Sequence, residues 1–239
     1  MANFLLIHGA WHGAWCWYKT LPALQALGHK AAAIDLPSHG IDRTPVSDIT
    51  LAVYGQRVAE AVTRIDGPVH LVGHSMGGAV ITEAVQHVAN RVESLIHLAA
   101  MAGREGELPA AALADDKDAA LPANLVTRDD GTMWVNDESL EEVFYHDCPA
   151  EDIQLARFCL TPQSAAAAAG AITTPDAVLD GVPRHFIFCE QDRAISLPVQ
   201  QAICEAARGE RTASLNASHS PFFSDPALLA ETIARLARD

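Results

Sequence analysis

Short apolar runs bounded by glycine, proline and polar residues recur through the first hundred positions, and between them lie longer stretches with apolar residues at helical spacing. Such runs fit strands buried on both faces, and their alternation with helical patterns fits parallel strands joined by crossover helices. On this basis residues 4–7 form a strand, a loop rich in Gly, His and Trp follows, and a helix through Leu21, Leu24 and Leu27 stops at Gly28. Residues 31–34 give a second strand, and 51–65 a helix broken by Gly67-Pro68. Residues 69–72 form a third strand that runs into a helix reaching Val88, and 92–99 form a fourth.

From about residue 102 the alternation stops. Acidic clusters, Pro109, Pro122, Pro149, Pro162 and an alanine run at 165–169 replace it. Within this stretch 125–127 and 132–135 flank Asp129-Asp130-Gly131, a hairpin signal because Gly accepts positive φ. A structureless loop of this length does not fit a compact domain, so residues 103–179 read as an inserted cap. The rhythm returns with a strand at 185–189, a helix at 198–207, a short strand at 213–215 and a helix begun by Pro226. The fold class is therefore α/β: a mostly parallel sheet with helices on both faces, residues 1–102 and 180–239 forming the core, and a cap inserted between two sheet segments.

Composition narrows the function. A net charge of −14 repels phosphate backbones and anionic headgroups, so neither nucleic acid nor a membrane is an expected partner. No apolar run is long enough to span a bilayer, and 4–7 is too short for a signal-peptide core, which gives a cytoplasmic expectation. Five scattered cysteines without a C-x-x-C pair fit neither a disulfide framework nor a zinc site; Cys189, at the end of an apolar run, reads as strand packing.

The candidate chemistry lies where the third strand meets its helix. Gly73-His74-Ser75-Met76-Gly77 matches G-x-S-x-G between strand and helix, the setting in which a strained turn holds a serine hydroxyl above a sheet. Glycines flank the serine because side chains there would meet the neighbouring strand and helix. A dinucleotide loop would need glycine where Ser75 stands, and would follow the first strand. A serine hydroxyl needs a general base, and the base needs an orienting carboxylate, following in the order acid then histidine. His219 sits in a polar loop after the last short strand, whereas His185 begins an apolar run and reads as structural. Asp192 lies just past a strand end, where α/β sheets build their sites, with Glu190 and Asp180 as rivals. The oxyanion needs two backbone N–H donors: Met76, after the nucleophile, and Ala10 in the loop His8-Gly9-Ala10-Trp11-His12-Gly13. His8 and His12 lack the helical spacing and glutamate of a zincin, so no metal is expected, and both, like His74, read as loop-fixing hydrogen-bonders.

Those segments, with Leu27-Gly28-His29-Lys30, Ala33-Ile34-Asp35-Leu36, Gly78 and Glu190-Gln191-Asp192, resemble the α/β-hydrolase subfamily of plant methyl esterases and hydroxynitrile lyases, which has similar small bacterial esterases. The resemblance spans nearly the whole chain and is weakest in the cap. It implies a Ser75, Asp192 and His219 triad, an Ala10 and Met76 oxyanion hole, no cofactor, a mostly apolar pocket under the cap and a homodimer. It also implies an esterase rather than a lyase. The family's lyases of the rubber-tree and cassava type carry threonine where this chain has Gly9, and lysine immediately after the catalytic histidine where it has Ser220. Ser75-dependent hydrolysis of small apolar esters is the expectation, with cyanohydrin cleavage or carbon-carbon hydrolysis, or a receptor that binds without turnover, as alternatives. Leu121, Leu125, Met133, Trp134, Phe144, Leu155 and Phe158 are candidates to roof the pocket, and Phe222 to line it.

Overall fold

Six parallel strands form the centre of the molecule, as seen in a computed structural model that describes residues 1–238. In chain order they are β1 (Asn3–Ile7), β2 (Lys30–Ile34), β3 (Val69–His74) and β4 (Val92–Leu98), then, beyond three strands of a second sheet, β8 (Arg184–Cys189) and β9 (Arg211–Leu215). Their spatial order is β2-β1-β3-β4-β8-β9. Every residue of β3 and β8 is buried, as expected for strands covered on both faces, whereas edge strands β2 and β9 alternate with exposed positions.

Three helices connect the first four strands: α1 (Thr20–Ala26), α2 (Leu51–Thr63) and α3 (Met76–Val88). The chain moves from β1 outward to β2 and returns across β1 to β3, so consecutive connections leave the β1/β3 boundary in opposite directions. That is a topological switch point, where loops diverge and leave a crevice at the carboxyl ends of the strands. The register brings those ends level: Ile7 pairs with Gly73, His74 with Leu98, Leu98 with Ile187 and Cys189 with Leu215.

Between β4 and β8 the chain builds a three-stranded antiparallel sheet of β5 (Leu125–Thr127), β6 (Thr132–Val135) and β7 (Gln163–Ser164), together with α4 (Ala150–Cys159). The hairpin anticipated at Gly131 is present, and Gly131 has a φ of 80°. β7 and α4 were not anticipated. A two-residue strand gives no periodic signal, and α4 buries only Asp152, Ile153 and Ala156, a narrow stripe on an otherwise polar helix. This segment is tied to the rest by polar groups: Asp152 is buried and accepts from Lys19 Nζ and Tyr18 Oη, both at 2.5 Å. Glu83 on α3 accepts from the Thr173 amide at 2.7 Å.

The chain closes with α5 (Leu197–Ala206) and α6 (Pro226–Leu236), the latter capped by the Asp225 carboxylate accepting from Leu228 N. Among the described residues no helix is long and apolar enough to cross a membrane, and all five cysteines are free thiols.

Candidate active site

Ser75 stands between β3 and α3 with φ 53° and ψ −123°, a backbone state that non-glycine residues rarely occupy. Its amide donates to Leu98 O at 3.1 Å, and its carbonyl accepts from Gly78 N at 3.0 Å and Met101 N at 3.1 Å, so neighbouring segments hold the strained residue in place. The flanking glycines are required by close approach. A Cβ on Gly73 would lie 2.4 Å from Gly77 O, and one on Gly77 2.7 Å from the carbonyls of Ile7 and His8. In a stretch where residues 69–74 and 76–85 are all buried, Ser75 is half-buried and reachable.

Asp192 and His219 meet at the ends of β8 and β9. His219 Nδ1 is 2.7 Å from Asp192 Oδ2, and a carboxylate only accepts, so Nδ1 carries the proton and the Nε2 lone pair is available as a base. Both side chains are buried. Asp192 Oδ1 accepts from the amides of Ala194 at 2.7 Å and Ile195 at 3.0 Å, while Gln200 Nε2 donates to Oδ2 at 3.2 Å. Gln200, from α5, also donates to Cys189 O and Ile195 O and accepts from Cys189 N, so it clamps the strand end that carries the acid. No motif marks it in the sequence. The rival acids lie elsewhere: Glu190 is exposed, and Asp180 is paired with Arg104, Arg184 and Arg208.

His74, next to Ser75 in the chain, contacts His219. Its Nε2 donates to His219 O at 2.8 Å, and the two rings lie 4.5 Å apart. Burial, and then the charge that His219 and His12 would carry, hold the His74 pKa well below the ordinary histidine value. The loop histidines behave as the sequence suggests. His8 Nδ1 donates to Gly9 O and its Nε2 accepts from Leu36 N, while His12 Nδ1 donates to Ala10 O and its Nε2 accepts from Tyr145 Oη. Burial depresses the His12 pKa to about 4, so this ring is neutral at ordinary pH. Among the described residues no group of three or more His, Cys, Asp or Glu side chains is placed to hold a metal ion.

The sharp turn of this loop falls on Trp11, at φ 65°, and not on a glycine. Trp11 is held by the segment between β4 and β8: its Nε1 donates to Met133 O at 2.9 Å and its carbonyl accepts from Thr161 N at 2.8 Å. The same segment steadies the histidine loop through Asp147, which accepts from Ser218 N at 2.8 Å, and the acid loop through His146 Nε2, which donates to Gln191 O at 2.9 Å.

Ala10, Trp11, Ser75 and Met76 line one side of a cavity of about 270 Å³. Met76 is the first residue of α3, where helix amides have no intrahelical acceptor. The other walls include Met101, Leu113, Ile195 and, from the second sheet and its approach, Leu121, Leu125 and Met133. Among the described residues the walls carry no charged side chain, and Ser75 and Gln163 are the polar ones. A larger, more open groove of about 760 Å³ flanks edge strand β2, lined by Ile41, Arg43, Arg57 and Arg64 among others. Its greater volume does not make it the reaction site, because Ser75 opens into the smaller, apolar cavity.

Several anticipated pocket residues stand elsewhere. Trp134 follows Met133 on β6, so the two side chains point to opposite faces. Met133 lines the cavity, while Trp134 donates to Asp137 Oδ1 at 3.0 Å and lies under Arg128. Phe158 is 85% exposed, on the side of α4 opposite its buried stripe, and Leu155 is half-buried on the same helix. Phe222 is buried behind the site against Trp17 and His74. Phe144 packs its ring 5.6 Å from that of His219, beside the imidazole instead of in the cavity wall. Ser220 is buried where a short helical turn, Pro221–Ser224, begins. Gly9 backs onto the nucleophile: a Cβ there would lie 2.8 Å from Ser75 Cβ.

The sequence profile of the Alpha/beta hydrolase family matches residues 4–232. Methylesterase 1 of Arabidopsis thaliana is 29% identical, over 98% of this chain and 95% of its own length. The chain spans 64% of a longer chloroplastic relative from the same plant. A pyrethroid hydrolase of Sphingobium wenxiniae is 32% identical, over 99% of this chain and 88% of its own. The solved structure of a pyrethroid hydrolase from Sphingobium faniae JZ-2 superposes with a TM-score of 0.89 at 30% identity, over 99% of this chain and 97% of that one. With the strand order and the strained serine turn already in hand, these likenesses establish that the chain belongs to the α/β-hydrolase family, in its methylesterase-like subfamily, and is an ester-hydrolysing enzyme.

Proposed function

We propose that this serine esterase acts on small, neutral, apolar carboxylic esters through an acyl-enzyme on Ser75. His219 Nε2 takes the Ser75 hydroxyl proton as Oγ attacks the ester carbonyl, and Asp192 holds the imidazole tautomer and stabilises the imidazolium as it forms. The amides of Ala10 and Met76 receive the oxyanion. His219 then returns the proton to the leaving alcohol. Water, activated by the same nitrogen, releases the acid.

The observation that carries this reading is a reachable serine on a strained turn, lining an apolar cavity, with a buried His219-Asp192 pair packed against the adjacent His74. The cavity bounds the substrate class. At about 270 Å³ it lies near the lower end of small-molecule pockets. Uncharged walls make a charged substrate expensive to desolvate, and they favour departure of the carboxylate product. They also supply no cation to stabilise a leaving cyanide, which supports hydrolysis over cyanohydrin cleavage. The segment between β4 and β8 acts in this reading as the cap, closing the cavity and bracing the oxyanion loop through Trp11.

Turnover of short-chain p-nitrophenyl esters tests the proposal. The wild type is expected to hydrolyse them with loss of at least about 10³-fold in kcat for Ser75→Ala, the scale of removing a triad nucleophile. Equal, slow turnover by the two proteins would refute it.

A further inference from the structure

We propose that Tyr145 is a positioning residue for ester hydrolysis: from the segment between β4 and β8 it acts through His12 to hold Ala10 so that its amide meets the oxyanion. The inference rests on the roles given to Ser75 and Ala10 above. Two imidazoles bracket Ala10, which lines the cavity. His8 Nδ1 donates to Gly9 O and His12 Nδ1 to Ala10 O, both at 2.8 Å. Gly9 O and the Ala10 N–H belong to one planar trans peptide, so anchoring the oxygen directs the N–H the opposite way. The second anchor, on Ala10 O, fixes the residue from its other side.

A neutral imidazole makes such a bond only as its Nδ1–H tautomer, and each ring is held in that tautomer by a donor at its other nitrogen. For His8 the donor is the Leu36 amide, at 3.0 Å, just past β2. For His12 it is the Tyr145 hydroxyl, at 2.7 Å, from the helical turn Glu141–Tyr145. The direction of this bond follows from the ring. Burial lowers the His12 pKa to about 4, so the ring is neutral, its one proton is on Nδ1, and the hydroxyl must donate. Burial also pushes the Tyr145 pKa up, which keeps the proton on that hydroxyl. Both side chains are buried, so losing the hydroxyl leaves Nε2 unpaired, at a cost comparable to the bond that His12 makes to Ala10 O. The ring then gains by turning away, and Ala10 keeps one anchor of its two.

Tyr145→Phe tests this by removing one oxygen and keeping the ring. The oxyanion exists only in the tetrahedral states, and acylation and deacylation both pass through one, so kcat should fall while KM stays nearly constant. With folding checked by melting temperature, the expected fall on a p-nitrophenyl ester is about tenfold, part of the roughly 10²–10³-fold lost when an oxyanion donor is removed outright. The inhibition constant of a trifluoromethyl alkyl ketone, whose adduct on Ser75 carries the oxyanion, should rise by a similar factor, while that of the corresponding alcohol should not move. Because Tyr145 acts through His12, adding Tyr145→Phe to His12→Leu should cost nothing further. Should the variants not fold, nitrogen NMR of the wild-type histidines still decides, since His12 must be the Nδ1–H tautomer. An unchanged kcat, a change confined to KM, an unmoved ketone constant, additive losses or an Nε2–H tautomer would each overturn the proposal while leaving Ser75-dependent hydrolysis intact. A wild type without Ser75-dependent hydrolysis would instead overturn the esterase reading beneath it.

Discussion

Four donors converge on the Asp192 carboxylate: the Ala194 and Ile195 amides at Oδ1, and His219 Nδ1 and Gln200 Nε2 at Oδ2. No lone-pair direction is spare, and this decides what an isosteric change does. In Asp192→Asn the side-chain oxygen must stay with the two backbone amides, which turns the new NH2 group toward His219 and Gln200. His219 Nδ1 must then accept, the ring proton moves to Nε2, and the base can no longer take a proton from Ser75. The expected outcome is a folded protein whose kcat falls by about 10⁴-fold, as for the same change in other serine triads. Steady-state kinetics with a p-nitrophenyl ester, beside a thermal melt, would measure it, and a loss under about tenfold would contradict the orienting role of Asp192. Asp192 and His219 were legible because each lies in the loop just past a strand that the hydrophobic rhythm had already located. Gln200 was not, since a glutamine one helical turn beyond a loop looks like any solvated side chain until the fold turns it inward.

Among elements, the segment between β4 and β8 does more than line the cavity. Through Trp11, Asp147 and His146 it grips the loops that follow β1, β9 and β8. Its two ends are fastened to each other near the sheet, where Arg104 donates to Asp180 Oδ1 at 2.6 Å and pairs with Asp176 at 2.9 Å. Hydrogen bonding from Arg104, with the nearby charges of Arg104 and Arg208, lowers the Asp180 pKa from its ordinary 3.8 to about 2. A carboxylate whose folded pKa lies below its unfolded one stabilises the fold at pH above the unfolded value, and that contribution disappears as pH falls through the folded value. The difference in urea midpoint between wild type and Asp180→Asn should therefore be constant above about pH 5 and shrink between about pH 4 and pH 2. A difference that does not change over that window would contradict the fastening. Little of this segment could be read beforehand. The hairpin announced itself through Asp129-Asp130-Gly131, but β6 shows its neighbours no strict alternation of apolar and polar residues, so the sequence could not say that Met133 and not Trp134 faces inward.

For the molecule as a whole, strand order explains why distant residues meet. The reversal at β1 and β3 places the Gly9-Ala10 loop against Ser75, and β8 and β9, the last two strands, carry the acid and the base along the same carboxyl edge. Buried strands write themselves into sequence as apolar runs, so all six central strands were found within two residues of their ends. β9, half exposed at the sheet's edge, was found only from Ala213 onward although it begins at Arg211. The central claim is that ester cleavage passes through a covalent bond to Ser75. Rapid mixing with p-nitrophenyl trimethylacetate, whose hindered acyl group deacylates slowly, followed by acid quench and peptide mass spectrometry, tests it most directly. The account predicts the acyl mass on the peptide containing Ser75, appearing together with p-nitrophenol and absent from Ser75→Ala. Release of p-nitrophenol with no acylated peptide, or with the acyl group on another residue, would contradict it.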